Sequence, residues 1–112
     1  MFCLKNFYKN KNILITGHTG FKGAWLSKIL NNWGADITGF SLNPPTCPNL
    51  YNLLHLDINS INADIRNYKQ LNEVMQDVEP EIVIHMAAQP LVKESYFNPR
   101  YTYEVNVMGT VN

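Results

Sequence analysis

The stretch Thr16-Gly17-His18-Thr19-Gly20-Phe21-Lys22-Gly23 decides how this chain folds. Ahead of it lies Ile13-Leu14-Ile15, an apolar run of the length a buried parallel strand needs. Behind it Leu26, Ile29, Leu30 and Trp33 recur at i, i+3, i+4 and i+7, the spacing of one buried helix face. The glycines therefore occupy a strand-to-helix turn. Such a turn aims backbone N–H groups and the positive end of a helix dipole at whatever lies above it, and a diphosphate is the natural guest. Gly17 permits the tight turn, Gly20 lets phosphates approach the backbone, and Gly23 lets helix and strand pack closely.

The spacing is Gly-x-x-Gly-x-x-Gly rather than Gly-x-Gly-x-x-Gly. In this form the segment resembles the short-chain dehydrogenase/reductase superfamily. An ATPase-type phosphate loop is a poor fit, because Lys22 is preceded by Phe21 and followed by Gly23 instead of Ser or Thr. The plain alternative is a glycine-rich turn that holds nothing.

The pattern continues as strand–helix alternation. Strands are expected at about 12–16, 36–41, 61–63 and 81–86, and helices at about 20–33, 49–56, 67–79 and 98–112, with a short helical piece near 91–96. Gly34 stops the first helix. Asn67 and Gln70 stand in capping-box relation, with Tyr68, Leu71, Met75 and Val78 as the inner face. Asn98 caps the last helix, Pro99 suits its first position, and Val105, Met108 and Val111 mark a buried stripe. Residues 1–11 form a polar leader, a short turn or a mobile end. The implied fold is α/β: a Rossmann-like, doubly wound parallel sheet over 12–112, incomplete, as the N-terminal part of a dinucleotide-binding domain.

The 112 residues carry nine basic and nine acidic side chains, so nothing argues for nucleic acid or an anionic membrane as partner. No apolar run is long enough to span a bilayer, and no signal-peptide pattern opens the chain. Cys3 and Cys47 are isolated, and His55 has no partner at ligand spacing, so no metal site is expected. The chain reads as cytoplasmic.

Ligands of such sheets bind past the carboxyl ends of the strands. That rule gathers the candidates. Ser41 ends the second strand where a carboxylate would select NAD, and it can bond a ribose hydroxyl without repelling a phosphate. Asp36 opens that strand and lies roughly 16 Å from the working edge at about 3.3 Å per residue. Lys22 can attract a phosphate, so the residues alone leave NAD and NADP open. Asp64 can accept from an adenine amino group while Ile65 packs the ring; alternatively Asp64 pairs with Arg66. Ala87, Ala88 and Gln89 keep the backbone open to a flat ligand or simply pack closely. His18 either bonds a phosphate or substrate or is a solvated loop side chain. His85 reads as a satisfied core histidine rather than a catalyst, and Tyr96, Phe97, Tyr101 and Tyr103 as packing aromatics rather than stacking partners of a nucleotide. Asn106, mid-helix, needs hydrogen-bond partners near the active site.

Longer motifs carry a sharper resemblance. The glycine loop, Gly39-Phe40-Ser41-Leu42 with Pro44-Pro45-Thr46, and Asp64-Ile65-Arg66 are three of them. His85-Met86-Ala87-Ala88-Gln89-Pro90-Leu91-Val92 and Asn106-Val107-Met108-Gly109-Thr110-Val111-Asn112 are two more. Together they resemble the CDP-glucose 4,6-dehydratase family of extended short-chain dehydrogenases/reductases. The resemblance implies a tightly held NAD, hydride leaving sugar C4 and returning to C6, and loss of water across C5 and C6. It places Gly17, Thr19, Gly20, Phe21 and Lys22 on the phosphates, Asp64 and Ile65 on adenine, and Ala87, Ala88 and Gln89 toward nicotinamide. His18 and Gln89 would border a nucleotide-sugar substrate. It also implies a homo-oligomer and tips Ser41 toward NAD.

General acid–base catalysis in that superfamily uses a Tyr-x-x-x-Lys pair, and none occurs in these residues. The catalytic residues and substrate domain are therefore expected beyond Asn112, with these residues inactive alone. An epimerase or another sugar-nucleotide dehydratase is one alternative, a non-catalytic dinucleotide-binding module another.

Overall fold

The computed structural model describes residues 3–112. Four parallel strands, β1 (Asn12–Thr16), β2 (Asp36–Ser41), β3 (Asn59–Asn62) and β4 (Ile82–His85), lie in the order β3-β2-β1-β4. β1 is central, pairing Thr16 with Phe40 on one side and with His85 on the other. This is the parallel Rossmann-like α/β sheet expected, and its carboxyl ends lie side by side.

Because β1 is covered on both faces, its apolar run does not alternate with polar residues. Ile13 and Ile15 pack with Leu30, Ala35 and Ile37 on one face. Leu14 packs with Phe40, Ile65, Leu71, Val74 and Val105 on the other. The first face is covered by α1 (Leu4–Tyr8) and α2 (Phe21–Asn32), with Tyr8 stacked on Trp33 at 6.0 Å. The leader thus contains a short helix from Leu4; the part of it at residues 1–2 lies outside the described residues. Gly34, at φ +83°, ends α2 in the left-handed conformation that glycine adopts without cost.

α3 (Leu50–Leu54) leads into β3, which starts two residues earlier than expected. α4 (Tyr68–Val78) is capped by Asn67, whose side chain accepts from Gln70 N–H at 3.1 Å. Its buried residues are Leu71 and Val74, while Tyr68 and Met75 are exposed, a correction to the expected inner face. Leu71, Val74 and the partly buried Val78 share one i, i+3, i+7 stripe that packs on the core.

After α5 (Val92–Phe97) comes one continuous helix: α6 (Pro99–Tyr103), a π-helical turn (Glu104–Met108) and α7 (Gly109–Val111). A π turn inserts an extra residue and re-aims the side chains beyond it. Val105 and Gly109 consequently face inward, and Met108 and Val111 do not, against the stripe expected from the sequence. A Cβ on Gly109 would lie 2.7 Å from Ile65 Cγ2, so only glycine fits there. Of the aromatics expected to pack, Tyr101 does; Tyr96, Phe97 and Tyr103 are exposed on this chain.

Candidate functional site

The glycine turn joins β1 to α2 beneath the carboxyl edge of the sheet. Gly17 has φ +76°, and a Cβ there would lie 2.7 Å from Ala87 N, so both backbone and packing demand glycine. At Gly23 a Cβ would lie 2.1 Å from Gly17 O, which close helix–strand packing forbids. Gly20 is different. Its φ of −73° suits any residue, and a Cβ would meet only Gly17 O at 3.4 Å. Neither strain nor internal packing requires glycine there.

The end of α2 fits an anion. The first helical bond runs from Ala24 N–H to Gly20 O at 2.8 Å, which leaves the preceding N–H groups of Phe21, Lys22 and Gly23 at the open helix end. Gly20 supplies no capping side chain, and no acidic residue stands in the first turn. Phe21 and Lys22 are exposed beside it. A diphosphate would take up those donors and the positive dipole end.

Thr19 links this turn to β2. Its Oγ1 donates to the Leu42 carbonyl at 2.7 Å and lies 2.8 Å from Ser41 Oγ. Ser41 is nearly buried beside the turn, where Gly17 N–H donates to Phe40 O at 3.0 Å.

His18 corrects the expectation of a solvated or substrate-facing side chain. It is 0% exposed, with Nε2 at 2.7 Å from Ser60 Oγ and its ring edge-on to Tyr51. The ring fills space that Gly39 leaves, since a Cβ there would lie 2.3 Å from it. Nδ1 is buried without a partner, and burial pushes the imidazole pKa down to about 4. The side chain braces the loop from beneath and has no surface to offer a substrate.

Asp64 is held by Arg66 through a fork: Nη2 at 2.7 Å from Oδ2, and Nε at 3.1 Å from both oxygens. The Arg66 hydrogen bonds hold the Asp64 carboxyl below its usual range. Arg66 also reaches Glu104 and lies over the Tyr101 ring. Asp64, Arg66, Asn67, Glu104 and Met108 line an open cavity of about 420 Å³. Ile65 points away from that cavity into the core, so its side chain does not offer a face to adenine. The residues following a strand end lose its alternation, which hid this orientation in the sequence.

The loop after β4 is tied down. Gln89 is buried; its amide donates to Thr102 Oγ1 at 2.9 Å and accepts from Leu91 N–H at 2.6 Å. It holds the loop instead of reaching outward, while Ala88 is exposed and Ala87 half-buried. Asn106 closes a two-bond ring with the Gln89 backbone, accepting from N–H at 2.7 Å and donating to the carbonyl at 3.1 Å. His85 is satisfied but exposed on β4 rather than in the core, bonded between Thr16 and Thr110. Thr16, Ser60 and Thr110 were not anticipated; a hydroxyl at the last residue of β1 was the one available signal. Among the described residues no group of three or more His, Cys, Asp or Glu could hold a metal ion, and no helix is long and apolar enough to cross a membrane.

A family model described as GDP-mannose 4,6 dehydratase matches residues 14–112, nearly all of this geometry. The chain belongs to that family. Within it, the chain is 48% identical to a CDP-glucose 4,6-dehydratase from Salmonella typhimurium over 96% of its own length and 31% of the relative's. It is 32% identical to a GDP-mannose 4,6-dehydratase from Vibrio cholerae, covering 90% of the chain and 29% of that protein. The chain therefore spans about a third of the length of these curated relatives. Among solved structures, a UDP-glucose 4-epimerase from Brucella ovis in complex with NAD matches with a TM-score of 0.75 and 29% identity over 90% of the chain and 30% of that structure. An epimerase from Methanothermobacter thermautotrophicus matches at 0.80 and 25% over 96% and 31%. The fold is thus the Rossmann-like α/β sheet seen in part of these sugar-nucleotide epimerase structures.

Proposed function

We propose that residues 12–112 are the first part of the nicotinamide-dinucleotide-binding domain of a nucleotide-sugar 4,6-dehydratase, and that the whole protein converts CDP-glucose to CDP-4-keto-6-deoxyglucose. The observation that carries this is Gly20: a glycine that neither backbone nor packing requires, at an uncapped helix end free of acidic side chains. The 48% identity to a CDP-glucose 4,6-dehydratase supports the choice of reaction and sugar nucleotide.

In this reading Gly17, Thr19, Gly20, Phe21, Lys22 and Gly23 hold the diphosphate, Ser41 the adenosine ribose, and Asp64 the adenine edge. Ile65 braces Asp64 from the core, and Ala87 and Ala88 flank the nicotinamide side. Gln89 and Asn106 hold that loop in place. The bound NAD supplies reversible hydride acceptance. The acid–base residues and substrate domain belong to other parts of a cytoplasmic, homo-oligomeric enzyme, and these residues alone do not turn over.

The test is the full-length protein with CDP-glucose. A 4-keto product lighter by one water is expected. No product, from protein with an intact Tyr-x-x-x-Lys pair, would contradict the reading. The likeness to solved epimerases favours one rival, an epimerase for a nucleotide sugar. Interconversion of UDP-glucose with its C4 epimer, and no water loss from CDP-glucose, would establish that instead.

A further inference from the structure

Proton counting assigns Ser41 a direction. The Leu42 carbonyl can only accept, so the single hydroxyl proton of Thr19 is spent on it, at 2.7 Å. Across the 2.8 Å between Thr19 Oγ1 and Ser41 Oγ, the donor must then be Ser41. Ser41 is left with lone pairs and no proton to offer a ligand. Its place at the end of β2, against the glycine turn, puts those lone pairs where a dinucleotide's adenosine ribose lies.

We propose that the Leu42–Thr19–Ser41 chain sets dinucleotide choice by hydrogen-bond polarity: Ser41 accepts from a free ribose 2′-hydroxyl and rejects a 2′-phosphate. This rests on the cofactor reading above. A 2′-hydroxyl carries a proton and can donate to Ser41. A phosphate monoester, with its second pKa near about 6, is almost all acceptor at neutral pH and meets lone pairs with lone pairs. Nearly buried Ser41 cannot turn to water for relief without breaking its bond to Thr19. The device does without a carboxylate at this position. It also makes Thr19 the residue that decides, although Ser41 is the one in contact. Lys22, exposed on the same turn, draws any extra phosphate regardless of polarity, so the comparison belongs at physiological ionic strength, where exposed charges are screened.

The experiment titrates NADH and NADPH onto full-length protein stripped of nucleotide, read by nicotinamide fluorescence. The unmodified protein binds NADH more tightly by about tenfold or more. Thr19→Val keeps the side-chain shape and releases the Ser41 proton, so the ratio moves toward NADPH by about tenfold. Thr19→Ala serves the same purpose if valine prevents folding. Ser41→Ala removes both the acceptor for the 2′-hydroxyl and the lone pairs that meet a 2′-phosphate, so NADH weakens and the preference over NADPH collapses. Both nucleotides share the diphosphate, so any damage to the phosphate grip cancels in the ratio. An unchanged ratio in Thr19→Val and Thr19→Ala, or equal binding of both nucleotides by the unmodified protein, overturns the polarity device and leaves the cofactor reading standing. Failure of the unmodified protein to bind either nucleotide overturns the cofactor reading itself.

Discussion

The Thr16 hydroxyl donates to Nδ1 of His85 across 2.6 Å, joining the carboxyl ends of β1 and β4. The direction is set by the other partners. Thr16 Oγ1 already accepts from Met86 N–H at 3.0 Å and Ala87 N–H at 3.2 Å, so its one proton goes to the ring. Nδ1 is then the acceptor and Nε2 carries the hydrogen, donating to Thr110 Oγ1 at 3.1 Å. Thr110 passes on to the Asn106 carbonyl at 2.8 Å, and Asn106 grips Gln89. One polarised chain thus runs from the end of β1 to the loop expected beside the nicotinamide.

Breaking that chain should cost stability and cofactor affinity together. Thr16→Val removes an acceptor for two backbone N–H groups and the donor to His85. A loss of about 1–3 kcal/mol in chemical denaturation is expected, with weaker nucleotide binding. Thr16→Ser keeps the hydroxyl and should recover most of both. Equal losses for Val and Ser would mean that the methyl packing matters and the hydroxyl does not.

The three loop glycines should separate cleanly. Gly23→Ala drives a Cβ to 2.1 Å from Gly17 O, so the melting temperature should fall by several degrees or folding should fail. Gly20→Ala faces nothing tighter than 3.4 Å and should melt within about 0.5 kcal/mol of the unmodified protein. Its nucleotide affinity should nevertheless drop about tenfold, a loss of about 1.4 kcal/mol. Unchanged binding in Gly20→Ala would mean that no ligand comes close enough to Gly20 to need the missing Cβ.

Buried His18 predicts an acid-side instability. Its pKa falls from 6.5 in an unfolded chain to about 4 in the fold, so the unfolded state binds the extra proton. Stability from this group is complete above 6.5 and declines as pH falls toward about 4, by something on the order of 3 kcal/mol. Denaturation at several pH values should show a flatter profile for His18→Asn than for the unmodified protein. Identical slopes between those limits would place the pH dependence elsewhere.

Gly39 and His18 should be energetically coupled. Gly39→Ala places a Cβ 2.3 Å from the imidazole and must expel it from its place by Ser60. His18→Ala alone leaves a cavity. The double variant fills that cavity with the new methyl, so its loss should be smaller than the sum of the two. Simple additivity would mean that the ring and the β2 backbone do not compete for the same space.

Where local chemistry is strong, the sequence was legible. Gly34, Asn67 and Asn98 end or start helices as their backbone and side-chain preferences dictate. The central strands β1 and β2 have the limits read from their apolar runs and flanking turns. The hidden features depend on partners far along the chain. His18 is buried because Gly39 leaves room and Ser60 supplies a hydroxyl, and neither is visible from the loop. Asn106 grips the Gln89 backbone while the Gln89 side chain bonds Leu91 and Thr102, as only the loop's path could tell. The π turn at Glu104–Met108 has no local signature in its residues, so the buried stripe beyond it was misplaced. Tyr96 and Phe97 look like core residues by composition, yet both are largely exposed among the described residues.

The central claim is that the N–H groups at the start of α2 hold a dinucleotide diphosphate. Purifying the full-length protein gently, denaturing it and assaying the supernatant for nicotinamide nucleotide tests it most directly. Near-stoichiometric NAD is expected from the unmodified protein and little from Gly20→Ala. Protein that carries no nicotinamide nucleotide and takes none up, with Gly17, Gly20 and Gly23 intact, would contradict the account.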